Sequence, residues 1–365
     1  MTGVPGILVG LMLVIVTIAC SSGHPQDDAD ASARSDQGDT AVVREAYITP
    51  LDSNYNIDGP AVYHGRDGAH WIIATAKSAD VLVVYDARTG EELRRVGMHG
   101  NGAGELARPN GVVVVGDSLL LVVERDNARV QAFRLPDFAP LGAFGERVLR
   151  KPYGITVVPD SAALRVYVTD NYETPDEQIP PLAELGERVK IFSVRLAGGR
   201  VAAEHVASFG DTTAAGAIRV TESIMADPAQ NRLVIAEELE SDSHLAVYTL
   251  DGKFTGKSFG RGYFPQQAEG IALYACGDSA GYWIATDQGD SVNTFHLFDR
   301  VTLEHVGAFT GEATRRTDGV ALTQREFGRF DAGALLAAHI DAGIAALDWA
   351  EIAAATGVRK DCVVK

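Results

Sequence analysis

Six places in this sequence set a polar residue against a small one at the start of an apolar run: Asp58-Gly59, Asn110-Gly111, Tyr153-Gly154, Glu222-Ser223, Glu269-Gly270 and Asp318-Gly319. Four of the six polar residues are carboxylates. A turn follows each run, then a second apolar run ending in further polar residues: Lys77, Arg125, Asp170-Asn171, Glu237-Glu238, Asp287-Gln288 and His339. An antiparallel hairpin sets the start of its first strand beside the end of its second. Carboxylates gathered this way repel one another unless a cation neutralises them. Calcium suits such a set, because it takes oxygen ligands from separate loops in variable geometry. A transition metal fits less well, since the set offers His339 as its only nitrogen donor. The competing reading is that polar residues at strand entries hold backbone amides and channel water. Four acids together favour calcium, as several ions.

The elements that must position these residues form a repeat. The small residues fall at 59, 111, 154, 223, 270 and 319, and each opening leads through four strand-like segments. Val, Ile and Thr with glycine-rich turns dominate, and helix signals are sparse. The predicted fold is all-β: a six-bladed β-propeller with four antiparallel strands per blade. The sixth unit lacks a fourth strand, and a lone strand, Ala41 to Ile48, precedes the first unit. That strand is expected to complete the last blade and close the ring, hiding two sheet edges. In a propeller the innermost strands line the channel, so the polar openings and second-strand ends gather at one mouth. The Pro- and acid-rich stretch Tyr172 to Glu187 lengthens the third unit and reads as a surface loop rather than a lid.

The 365 residues carry 49 acidic and 32 basic side chains, a formal charge of −17. Such a surface argues against a nucleic-acid partner. The apolar run that ends at Ala19 is short for a membrane span and stops at Cys20, in a lipobox-like Thr17-Ile18-Ala19-Cys20. Residues 1–20 are thus expected to be an export signal with Cys20 as the lipidation site, 21–40 a disordered tether, and 41–365 the propeller. The protein is expected in the outer membrane or cell surface as a lipoprotein, or as a periplasmic or secreted protein. Membrane contact would come only through the lipid anchor, and the propeller is expected to be monomeric. Cys276 and Cys362 are either a disulfide or two unpaired thiols.

The stretch QAEGIALYACGDSAGYWIATDQG at 267–289, with Asn293 to Arg300 and Thr317-Asp318-Gly319, resembles the β-propeller phytases. So does ESIMADPAQNRLVIAEE at 222–238, and more faintly Asp58-Gly59-Pro60-Ala61. The resemblance is strong over the last three blades; the first three read as a generic propeller. It implies a calcium-dependent phosphomonoester hydrolase acting on phytate or a related phosphorylated small molecule, with metal-activated water as the nucleophile. It also implies metal ligation by Asp58, Glu222, Glu237, Glu238, Glu269, Asp287, Gln288 and Asp318. Glu222, Glu269 and Asp318 would act in catalysis through the bound metal and water. Lys77, Arg125 and Tyr153 are the candidate phosphate-binding residues. Asp170-Asn171 stands where phosphate-binding members carry a lysine, and Ala76 stands where they carry the first of two. The alternative is a non-catalytic, calcium-stabilised propeller that binds a ligand or serves as a scaffold. The number of cationic side chains facing the carboxylates separates the two.

Overall fold

The computed structural model describes residues 1–3 and 40–364. The apolar leader, Cys20 and the tether up to Asp39 lie outside the described residues. Among the described residues, twenty-five strands form six sheets. In blade one, Ile57–His64, His70–Ala76, Val81–Asp86 and Glu92–Val96 run antiparallel from the channel outwards. The innermost strands of the following blades are Pro109–Val115, Pro152–Asp160, Ile224–Asp227, Ala268–Cys276 and Val320–Thr323. Each touches the innermost strands of its two neighbours, and the sixth touches the first, so the ring is closed. This is the six-bladed β-propeller that the repeat predicts.

The pleat explains the sequence pattern. Middle strands such as Leu119–Glu124 and Ala334–His339 are buried along their whole length, because a neighbouring blade covers each face. Successive side chains point to opposite faces, so they enter different cores. Ile72 and Ala74 pack with Leu336 and Ile344 of blade six, whereas Ile73 between them packs with Leu120 and Val122 of blade two. Outer strands carry polar residues on their solvent side, as in Glu92–Val96.

Closure differs from the single strand expected over Ala41 to Ile48. Ala41–Val43 lies parallel to His305–Gly311, as a fifth strand on blade five. Tyr47–Ile48 then pairs antiparallel with Gly343–Asp348 as the fourth strand of blade six. Glu45 holds the step between them: one carboxylate oxygen accepts from Ala313 N at 3.0 Å, Thr314 N at 2.8 Å and Thr314 Oγ1 at 2.6 Å. The segment therefore ties two blades together. The helix Trp349–Thr356 follows, with Asp348 accepting from Ala350 N at 2.8 Å as its N-cap. A disulfide joins Cys276, at the end of blade five's innermost strand, to Cys362 in the C-terminal tail. No helix among the described residues is long and apolar enough to cross a membrane.

Candidate metal centre and channel mouth

The polar-small pairs sit where the inner strands leave the regular ladder. Register shifts fall between Ile57 and Pro60, Pro109 and Val112, Pro152 and Ile155, and Ala268 and Ile271. Such bulges re-aim side chains. The small residue is required because neighbouring inner strands touch there. A Cβ on Gly154 would lie 2.0 Å from the carbonyl oxygen of Glu222, and one on Gly319 would lie 2.7 Å from that of Asp58. Threonines stitch the contacts: Thr75 Oγ1 donates to Asn110 O at 2.7 Å, and Thr169 Oγ1 donates to Glu222 O at 2.8 Å. These threonines were not anticipated, although Thr75, Thr169 and Thr286 recur two residues before a mouth position.

The ends of the second strands divide by the same alternation. The last strand residue turns away from the channel and holds the loop that precedes its own blade. Asp170 accepts from Lys151 N at 2.7 Å, Glu237 from Arg219 N at 2.7 Å and Val220 N at 3.0 Å, and Asp287 from Gln266 N at 2.9 Å. His339 does likewise through Nδ1, accepting from Arg315 N at 3.2 Å. Glu237 and Asp287 therefore stand outside the carboxylate cluster; their lone pairs serve backbone amides. Burial pushes the Asp287 carboxyl up to about 6, with the amides of Gln266 and Gln267 opposing it. The next residue faces the mouth: Lys77, Arg125, Glu238 and Gln288. In blade three Asn171 instead accepts from Thr221 N at 3.3 Å.

The remaining carboxylates form two groups. In the first, the Lys77 ammonium lies 3.1 Å from Asp58 and 2.9 Å from Asp318, and the Gln288 amide donates to the other oxygen of Asp318. Burial works against the charge on Lys77, but the two aspartates outweigh it and hold the ammonium firmly protonated. The Asp318 carboxyl is pushed up to about 6 by burial, with Lys77 opposing and Asp58 adding to it. In the second group, Glu222, Glu238 and Glu269 each bring one carboxylate oxygen within 4.8 Å of the others. Glu238 accepts from Glu222 N at 3.0 Å, which fixes it in place. None of the ion pairs among the described residues involves these three. Burial pushes Glu222 up to about 8, with Asp58 adding to the effect and Lys77 opposing it. Burial, followed by repulsion from Glu269 and Glu222, raises Glu238 well above the usual carboxylate range, and burial with repulsion from Glu222, Asp318 and Asp58 does the same for Glu269.

Three converging carboxylates without an ion-pair partner must either hold protons or hold a cation. Their oxygen-only donor set fits calcium or another hard ion. Asp58 and Asp318 already have an internal cation in Lys77.

Blades two and three carry the basic side. Arg125 reaches the Tyr153 hydroxyl at 3.4 Å and pairs with Asp126 at 2.7 Å. Arg108, which sequence reasoning missed, exerts its charge on Glu222 and Tyr153, and its Nε is buried without a partner. Asn110, at the ring position between Asp58 and Tyr153, has both side-chain polar atoms buried and unpartnered. Orphaned buried donors and acceptors of this kind mark a place where a further group completes the site. A cavity of about 70 Å³ lies among Asp58, Tyr153, Glu222, Glu269 and Asp318. A wider polar cleft of about 470 Å³ opens beside it, reaching Lys77, Gln288 and Asp318. Gly277 to Gly281 has the Gly-x-Ser-x-Gly spacing of serine hydrolases, but it spans the hairpin turn between Ala268–Cys276 and Ala280–Asp287, not a strand-to-helix elbow.

No protein-family model matches the chain, and no curated protein matches it. Solved propeller structures do. One, assigned as a gluconolactonase, is 14% identical at a TM-score of 0.52, over 84% of this chain and 93% of that one. A calcium-binding regucalcin from Agrobacterium tumefaciens is 15% identical at a TM-score of 0.50, over 84% of this chain and 96% of that one. Identities this low establish the shared fold alone.

Proposed function

We propose that this protein is a calcium-dependent phosphomonoester hydrolase, the class implied by its resemblance to the β-propeller phytases. The observation that carries the reading is the cluster of a half-buried Glu222 with buried Glu238 and Glu269, without an ion-pair partner. Calcium bound there would neutralise phosphate oxygens and activate water. The chain's own residues do the rest. Glu238 is fixed by the Glu222 amide, so one of the three carboxylates is set before any ion arrives. Arg108 and Tyr153 act on Glu222, Arg125 reaches the Tyr153 hydroxyl, and these three would hold the phosphate. Lys77 holds Asp58 and Asp318 in place rather than binding substrate directly. The Cys276–Cys362 disulfide supports an exported protein, since such bonds persist in oxidising compartments. The acidic balance supports a small-molecule substrate over nucleic acid.

The test is phosphate release with calcium and with chelator, in the wild type and in Glu269→Gln. Calcium-dependent release that Glu269→Gln lowers at least about a hundredfold supports the reading. A second reading, a non-catalytic calcium-binding propeller, is favoured by the engagement of Lys77 with Asp58 and Asp318. A calcium-dependent rise in melting temperature without any phosphate release selects it.

A further inference from the structure

The cleft beside the metal centre differs chemically from a polyanion site. Its charged lining consists of Glu240, Asp290, Asp318 and Asp341 against Lys77 and Arg316. Both cations are already engaged. Lys77 lies between Asp58 and Asp318, and Arg316 pairs with Asp290 at 2.5 Å and approaches Asp341 at 4.0 Å. No lysine or arginine of the cleft is left to receive a second or third phosphate. The net charge of −17 adds repulsion at longer range. The uncharged lining, by contrast, is rich in carboxamides: Asn56 and Gln266, with Gln267 and Gln288 each already donating once, to the Glu238 carbonyl and to Asp318. A carboxamide offers donors and an acceptor together, and a carboxylate accepts from a hydroxyl. That combination matches a hydroxyl-rich ring, whose every hydroxyl both donates and accepts. The volume, about 470 Å³, suits a small molecule.

Resting on the hydrolase reading, we infer that the substrate is a monophosphate of a polyhydroxylated ring. Its single phosphate lies toward Arg108, Arg125 and the glutamate cluster, and its hydroxyls fill the cleft. A hexakisphosphate is excluded by charge. The departures from the phytase pattern at Ala76 and Asn171 follow from this, since neither position keeps a lysine for extra phosphates.

Calorimetric titration of the calcium-loaded protein, with free calcium buffered, tests the inference without requiring turnover. The probes are a hexose 6-phosphate, inorganic phosphate and myo-inositol hexakisphosphate. The hexose phosphate should bind at least about tenfold tighter than either of the other two. Gln266→Ala, at an exposed position, should bring it down toward inorganic phosphate. Asp290→Lys, also exposed, should tighten hexakisphosphate binding about tenfold by reversing one charge and releasing Arg316. Hexakisphosphate as the tightest ligand of the wild type, or no response to either variant, overturns the inference. Absence of phosphate release from both phosphate esters refutes the hydrolase reading instead, and leaves the binding comparison intact.

Discussion

Lys77 stands at a position that the phytase resemblance gives to substrate, yet its side chain is only 11% exposed and is held by two aspartates. Removing one partner of a buried ion pair leaves the others uncompensated, at about 3–5 kcal/mol. Lys77→Met should therefore destabilise the calcium-free protein by that amount in urea denaturation. A loss under about 1 kcal/mol would return Lys77 to the role of a substrate ligand. A second residue-scale prediction concerns the opposite end of blade one. His64 contacts His70 Nδ1 at 2.7 Å and Thr323 Oγ1 at 2.8 Å, and burial, then His70 and Arg325, lower it to about 4. The unfolded chain then binds more protons than the folded one between the ordinary value of 6.5 and about 4. Stability from neutral His64 is present above that window and lost as pH falls through it. The urea midpoint of His64→Gln should accordingly depend less on pH across this range than that of the wild type. Residue identities were legible at this scale, because polar-small pairs repeat along the chain. Which member of Glu237-Glu238 or Asp287-Gln288 reaches the mouth was not, because it depends on where the strand ends within its pleat.

Strands were readable for a local reason: a run buried on both faces is apolar throughout, and turns interrupt it with Gly, Asp and Asn. What fastens one blade to the next was not. Arg300, at the end of blade five's third strand, forms a two-pronged pair with Asp227 of blade four, at 2.7 and 2.6 Å, and both are buried. It also donates to the carbonyls of Gly277 and Ala280. Arg300→Ala should cost about 3–5 kcal/mol, because Asp227 and two carbonyls would be left buried without partners. Denaturant unfolding measures it, and Asp227→Ala should add little to an Arg300→Ala background. Two additive losses would show that the residues act separately.

The ring is held at its seam by the first strands and the C-terminal tail of the described propeller. The N-terminal segment bridges blades five and six, and the disulfide ties the C-terminal tail to blade five across a sequence separation of 86. Closing a loop of that length stabilises by up to about 4–5 kcal/mol in the chain-entropy picture. Cys362→Ser should lower the melting temperature and leave calcium affinity unchanged. The distance supports this, since Cys276 lies seven strand residues from Glu269, roughly 23 Å along the chain. A fall in calcium affinity would mean that the seam also shapes the mouth. The sequence by itself determined the all-β repeat, the six blades and the polar residues that open the inner strands. Strand period, turn residues and small-residue spacing are all local properties of the chain. Only the tertiary structure decided that the carboxylates split into a lysine-paired group and a glutamate cluster with no ion-pair partner, and that the N-terminal segment serves two blades with two separate strands. The physical reason is that these partners are remote in sequence. Lys77 and Asp318 are separated by 241 residues, so ring closure alone brings ammonium to carboxylate.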